Sequence, residues 1–339
     1  MKSLQLSTFT LLTAYLLSAP AFAQSTTAAT TINQDGFGCQ DGTGRLTGGV
    51  VIGSIASVTY DPTTAVLQFV VANTTPVVAG EANPTIQDIW FNVPDGAVTG
   101  MTLTNQVGSG GAAPQFTLQF DPTTSLNPNP LSAGCFGEFN VQLSAPAGSF
   151  GIANPAAPQV ATPNAVTGPV TFTFQLTGPG TAFIDAEAFL AASSQKGALS
   201  TNYALNYQRG GSNAQEFGIV GSCELCRTSV YLVGNPSVGS TFDICVTGGF
   251  GCHACLWVSG TPGPVVVSGI ELPVGLPIAA AWDLGDFGLG NASNTLCLTV
   301  PVPNNAQLAG FQFYLANVTY NALNVQGYDF SLPRTVTIQ

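Results

Sequence analysis

Short apolar runs rich in Val, Phe, Thr and Ile, each broken by Gly, Pro, Asn or Asp, recur along most of the chain. Branched and aromatic side chains suit a pleated, half-buried surface and the breakers suit its corners, so the pattern predicts strands and tight turns. Gly49 to Tyr60 and Val66 to Ala72 are predicted to pair as a hairpin closed by Asp61-Pro62-Thr63-Thr64, with the Asp carboxylate capping the turn and Pro fixing its φ. Further strands are predicted at Thr85 to Val93, Gly100 to Val107, Gln115 to Phe120, Glu138 to Leu143 and Val170 to Leu176. The turn tetrapeptide recurs at Asp121-Pro122-Thr123-Thr124, which two similar turns explain without a domain repeat.

One segment has a different period. Thr181 to Ser194 spaces Phe183, Ala186, Phe189 and Leu190 along one helical face, predicting a short helix packed on a sheet. Between Asn127 and Pro169 prolines recur without helical or strand period, which reads as a long surface connection. Gly210-Gly211-Ser212 and the stretch from Gly218 to Ser222 read as a seam. Beyond it, Val230 to Val233, Thr241 to Thr247, Leu256 to Ser259, Val265 to Ile270, Thr295 to Val300, Phe311 to Tyr320 and Arg334 to Ile338 supply strands for a second sandwich. The predicted fold is all-β: two β-sandwich-like domains over 35–222 and 223–339, with a short helix in the first.

The N-terminal pattern bears on compartment. Lys2, the apolar run from Leu11 to Leu17, and Ala21-Phe22-Ala23 before Gln24 have the layout of a cleaved secretory signal over 1–23, followed by a Ser, Thr and Ala rich flexible leader over 24–34. The apolar run is well short of the roughly 20 residues that span a bilayer. Val265 to Trp282 is also apolar but holds Glu271, Pro273 and Pro277, so buried strands are expected there and no transmembrane segment in the mature chain. The expected location is secreted, extracellular or cell-surface associated.

Charge narrows the partners. Seventeen acids against six Lys and Arg give a net charge of −11, and no basic cluster exists to displace counterions from phosphate. Nucleic acid is therefore excluded as a partner, and anionic membrane is disfavoured on the same ground.

Two resemblances attach to particular residues. Gly234-Asn235-Pro236-Ser237-Val238-Gly239-Ser240-Thr241-Phe242, Leu256-Trp257-Val258, Val300-Pro301-Val302-Pro303-Asn304-Asn305 and Leu308-Ala309-Gly310-Phe311-Gln312-Phe313-Tyr314 together resemble a C-terminal β-domain of secreted proteins from planctomycete-type bacteria. The preceding half, with Gly168-Pro169-Val170-Thr171-Phe172-Thr173-Phe174 and the run from Asn202 to Gly211, is similar to exported β-rich domains of the PEP-CTERM kind. It departs from them in carrying no Pro-Glu-Pro, apolar helix and basic cluster as a sorting tail. The resemblances imply a fold and a compartment and no particular activity.

Eight cysteines, Cys39, Cys135, Cys223, Cys226, Cys245, Cys252, Cys255 and Cys297, are first read as disulfides in an exported chain. Cys39 is expected to pair with Cys135 and the other six among themselves, Cys245 with Cys297 being the favoured long-range bond because each lies in a predicted strand. The competing reading is a tetrahedral zinc site from the two Cys-x-x-Cys pairs, Cys223 with Cys226 and Cys252 with Cys255, since such a pair lets two thiolates grip one metal. No cofactor is otherwise expected.

Catalytic patterns are sparse. His253 is the one histidine and sits inside the second Cys-x-x-Cys, a poor place for a general base. Paired acids exist at Asp185 with Glu187 and at Asp283 with Asp286, where capping and turn roles are the ordinary explanation and glycosidase chemistry the sharper one. Asp35-Gly36 and Asp41-Gly42 hint at calcium without a complete loop, and Asn73, Asn291 and Asn317 fit glycosylation sequons. The expected function is a non-enzymatic structural, adhesive, cell-surface or matrix protein whose partner the sequence does not identify, cell-surface or matrix glycans and proteins being the candidates. A carbohydrate-binding module, with Trp90, Trp257, Trp282 and Tyr328 as stacking rings, is the alternative, and a carboxylate-dependent hydrolase the second alternative.

Overall fold

The computed structural model describes residues 25–34, 38–39, 52–74, 84–108, 115–122, 131–133, 137–146, 151–154, 166–192, 194–196, 199–209, 216–221, 227–249, 251–267, 270–287, 295–320 and 328–339. The first half contains β1 (Thr26–Gln34), β2 (Gly38–Cys39), β3 (Ile52–Asp61), β4 (Val66–Asn73), β5 (Pro84–Phe91), β6 (Gly100–Gly108), β7 (Thr117–Phe120), β8 (Val141–Ser144), β9 (Ile152–Ala153), β10 (Val166–Thr167) and β11 (Val170–Thr177). After helix α1 (Ala186–Ala191) come β12 (Ser194–Lys196), β13 (Leu199–Thr201), β14 (Tyr203–Arg209) and β15 (Glu216–Gly221). The second half contains β16 (Thr228–Val233), β17 (Thr241–Gly248), β18 (His253–Ser259), β19 (Pro262–Val267), β20 (Ile270–Val274), β21 (Ile278–Asp286), β22 (Thr295–Pro301), β23 (Gln312–Tyr320), β24 (Tyr328–Phe330) and β25 (Arg334–Thr337).

The β3–β4 hairpin shows how local chemistry sets the fold. Asp61 Oδ1 accepts the Thr63 N–H at 2.9 Å and the Thr63 hydroxyl at 2.6 Å, while Oδ2 accepts the Thr64 hydroxyl at 2.8 Å. Hydrogen bonds from these two threonines hold the carboxyl below its ordinary range. Out of this turn, β4 buries Leu67, Phe69 and Val71 on one face, and β11 buries Val170, Phe172, Phe174 and Leu176 likewise.

Those faces look across at a second sheet. One sheet runs β1-β3-β4-β11-β6; the other runs β10-β9-β5-β14-β15-β2, with β8 also on β5 and β7 on β8. Phe69 stacks on Phe91 at 4.9 Å and on Tyr203 at 5.2 Å between ring centroids, stitching the two sheets together. Burying each such ring stabilises the fold by about 2–3 kcal/mol. In the second half, β16-β17-β22 packs against β21-β18-β23-β24, with β25 also on β23, around Leu232, Ile244, Val246, Leu256, Phe287 and Leu315. The fold is all-β, two sandwiches with one short helix in the first, as predicted.

Several expectations are corrected. The segment 24–34, read as a flexible leader, includes β1, which pairs with β3 from Thr26↔Tyr60 to Gln34↔Ile52. Its Thr26 hydroxyl also accepts the Ala186 N–H at 2.8 Å. A lone polar, Thr-rich segment gives no sign of the tertiary partner that orders it. The 127–169 connection contributes, besides β8 where a strand was predicted at Glu138 to Leu143, the short strands β9 and β10, with Ile152 and Val166 buried in the core. The expected seam at Gly218–Ser222 overlaps β15, a strand of the first sandwich paired with β14; residues 222–226, which hold the expected domain boundary, lie outside the described residues. Val265 to Trp282 forms strands, but β19, β20 and β21 are largely exposed, Val266 at 68%. Among the described residues no helix is long and apolar enough to cross a membrane.

Cys245 on β17 and Cys297 on β22 stand opposite each other in the ladder and are disulfide-bonded, 52 residues apart in sequence. Converting both to Ala should lower unfolding free energy by about 2–4 kcal/mol. Denaturant titration of the oxidised protein and the double variant checks this; equal midpoints would show that the bond does not stabilise the fold.

Candidate functional site

The described residues with the densest exposed chemistry lie on the outer face of the β21-β18-β23-β24 sheet. Along β18 the side chains of Ala254 and Leu256 enter the core, so those of His253, Cys255 and Trp257 face outward. Register then builds a row across four strands: Asp286 and Tyr320 flank His253 on either side, and Tyr328 stands beside Tyr320.

His253 is held on both sides of its ring. Its Nδ1 lies 2.7 Å from Asp286 Oδ1 and its Nε2 2.7 Å from Asp283 Oδ1. Both contacts are hydrogen bonds only when both nitrogens carry protons, because a neutral imidazole has a single N–H. Asp283 and Asp286 are three residues apart and would point to opposite faces of a regular strand. A register shift between Ala254 and Cys255 inserts one extra residue in β21 and brings both carboxylates to the same face. Gly285, at φ 91°, supplies the left-handed backbone of this bulge, and its N–H donates to Asp283 Oδ1 at 3.0 Å.

Aromatic rings extend the face. Tyr320 packs 4.9 Å from the His253 ring, Phe330 lies 5.4 Å from Tyr328, and Trp257 lies 5.9 Å from Phe330. Tyr320 is 43% exposed and Tyr328 52%. Of the four stacking rings expected, Tyr328 and Trp257 belong to this face. Trp282 is exposed on β21 opposite Leu256, whereas Trp90 is buried with Ala133, Phe139 and Ala204. Tyr320 was missed because it was read only as the end of a strand, and its ring gains meaning from its neighbours on β18 and β24.

The cysteines divide. Cys252 is buried and disulfide-bonded, with its partner outside the described residues, while Cys255 is a free, half-buried thiol. This corrects the expectation that all eight pair. Three residues apart at the start of a strand, Cys252 faces the core and Cys255 the outer surface, so they neither bridge locally nor grip one metal. Cys135, Cys223 and Cys226 and the side chain of Cys39 lie outside the described residues, as do Asp35, Asp41 and Asn291. Among the described residues no three His, Cys, Asp or Glu side chains converge on a metal position. Asn73 and Asn317 are buried and donate to Ile152 O and the Thr228 hydroxyl, which leaves neither amide open to a glycosyl donor.

The other acid pair joins the two sandwiches. Asp185 caps α1 by accepting the Ala188 N–H at 3.0 Å, and its other oxygen accepts from Arg334 at 2.7 Å. Glu187 takes a two-pronged contact from Arg227 at 2.9 and 3.1 Å. Both carboxylates therefore face arginines of the second sandwich and not each other across a cleft. The cap also explains why the helix, expected from Thr181, starts at Ala186: the preceding Thr181–Phe183 forms a separate 3-10 turn. Asp329 sits beside this pair. Burial raises its carboxyl above the ordinary range, against opposing hydrogen bonds from the Phe330 and Thr228 backbone and the nearby Arg227 charge.

No family model and no curated protein matches the chain. Among solved structures it is similar to an enterococcal surface protein, partial N-terminal region, at 11% identity and a TM-score of 0.22, covering 81% of this chain and 90% of that one. At that score the likeness carries no argument about function.

Two variants test this geometry. Gly285→Ala meets no neighbouring atom, so its cost is the left-handed backbone alone, about 1 kcal/mol, together with loss of the Asp283 contact to His253. The His253 imidazole NMR resonances should then shift as the Asp283 carboxylate leaves the ring; an unchanged spectrum would refute the role given to the bulge. For Asp329, a raised folded-state pKa means that the folded chain binds the proton more tightly, so stability falls as pH rises from the unfolded carboxylate range through the raised value. Asp329→Asn should raise Tm at pH 7 and leave it unchanged near pH 3, and a Tm loss at pH 7 would show that the Arg227 attraction outweighs burial.

Proposed function

We propose that this chain is an exported, non-enzymatic cell-surface or matrix protein with a structural or adhesive role. The observation that carries the reading is the Cys245–Cys297 bond across neighbouring strands, which fits an oxidising compartment. It agrees with the export pattern of Lys2, Leu11 to Leu17 and Ala21-Phe22-Ala23. The non-enzymatic part is supported by the way the candidate groups are engaged: His253 on both ring nitrogens by carboxylates, Asp185 and Glu187 by arginines. The hydrolase alternative would need two carboxyls free to act on a substrate between them, whereas Asp185 and Glu187 face arginines and His253 lies between Asp283 and Asp286.

Carbohydrate binding stands as the second reading because the exposed rings of Tyr320 and Tyr328 are direct neighbours on one sheet face. Sugar rings present apolar C–H faces that pack on such aromatic surfaces.

Expression of the full chain in an exporting bacterium tests the main reading. Protein recovered outside the inner membrane should begin at Gln24 and resist alkylation at Cys245 and Cys297. Retention of Met1 on the mature species, or alkylation at both cysteines, would overturn export. Hydrolytic turnover on cell-wall polymers that is lost in His253→Ala would overturn the non-enzymatic role.

A further inference from the structure

The outer sheet face carries two features that ordinarily part company. Large aromatics usually go to cores or interfaces, yet Tyr320 and Tyr328 stay exposed side by side on β23 and β24. Among the described residues neither hydroxyl has a hydrogen-bond partner. Their rings pack against His253 and Phe330, so less side-chain freedom remains to be lost when a ligand settles on them. On the same face, Asp283 is 74% exposed, and its Oδ2 has no partner among the described residues.

Size and charge then select the ligand. Strands in a sheet lie about 4.8 Å apart, so the four-strand row from Asp286 through His253 and Tyr320 to Tyr328 spans about 14 Å, the length of about three sugar rings. Two carboxylates flank the one imidazole, and the row holds no Lys or Arg, so the face is anionic. The chain as a whole carries −11. Uronates and phosphate-bearing polymers are repelled by this face, whereas a protonated amine gains both the Asp283 carboxylate and the faces of the tyrosines.

We propose that the Asp286–His253–Tyr320–Tyr328 row, with Asp283, is a binding site for an oligosaccharide of about three units bearing protonated amino groups, such as a glucosamine oligomer. The proposal rests on the carbohydrate-binding reading and adds to it the site and the charge of the ligand. The tyrosines stack the sugar faces, Asp283 takes the ammonium, and His253, 2.7 Å from each carboxylate, fixes the position of both acids. Because Asp283 is exposed, its attraction is screened by salt and adds selectivity more than affinity.

Calorimetry of the mature protein at low salt, with the glucosamine trimer, the N-acetylglucosamine trimer and trigalacturonate, tests it. The amine trimer should bind tightest and trigalacturonate not at all. Tyr320→Ala and Tyr328→Ala should each weaken binding about tenfold, with Tyr328→Phe retaining it and Tm confirming that each variant folds. Asp283→Asn should erase the preference for the amine over the acetylated trimer. Ligand should also slow alkylation of Cys255, which lies on the same face. If the acetylated trimer binds as well as the amine through the same tyrosines, the amine assignment fails while carbohydrate binding stands. If no trimer binds, or binding ignores both tyrosines, the site itself is refuted.

Discussion

Successive side chains of a strand point to opposite faces, and burying Ala254 and Leu256 therefore obliges His253, Cys255 and Trp257 to face out. β18 lies between β21 and β23, so this one alternation also decides which residues of its neighbours join the outer face. It splits Cys252 from Cys255, which removes both the local bridge and the metal grip that their spacing suggests in a turn. It also gives His253 two cross-strand neighbours of different chemistry, an acid on one side and a phenol on the other. A slip of one residue in register would put the imidazole in the core and Leu256 in water, which no part of the second sandwich would tolerate.

Holding that face still is partly the task of the junction. Asp185 belongs to the first sandwich, yet its carboxylate is bound by Arg334 of β25, and Glu187 is bound by Arg227 beside β16. These acids are partly buried, so each is compensated by a guanidinium and its removal from water is offset only while the two halves stay together. Tyr231 adds a neutral tie, its hydroxyl donating to Asp95 O at 3.0 Å, and burial pushes its phenol far above the ordinary range. Apolar packing continues through the same place, since Tyr231 and Cys245 of the second half belong to the core of the first. The two sandwiches are thus joined by groups that each need the other half.

Much of the fold was legible because period-two patterns and turn chemistry are local. The Asp61-Pro62-Thr63-Thr64 turn, the strands at Val66 and Val170, and the pairing of Cys245 with Cys297 all follow from residues close in sequence or from strand positions that face each other. What escaped depended on partners. β1 is ordered by β3, β9 pairs among the described residues with β10 and β5, and the exposure of Val266 and Trp282 reflects a hairpin and an edge strand that stand outside the core. Asp283, Asp286, His253, Trp257 and Tyr328 were each singled out, but their meeting on one face was not legible for a sharper reason. Asp283 and Asp286 have the wrong spacing to share a strand face, and only the bulge at Gly285 reconciles them.

That bulge links local backbone chemistry to what the surface can recognise. An edge strand as long and as weakly charged as the first part of β21 offers its free backbone to any other strand, and bulges and charges are the usual protection. Here both occur at one end, where Gly285 bends the strand and Asp283 and Asp286 close on His253. The same residues that blunt the edge therefore create a fixed anionic position beside two exposed tyrosines. Protection against strand pairing and display of a ligand face need no separate sequence: one glycine with a positive φ turns two acids that would have straddled the sheet into neighbours on the side where the rings stand.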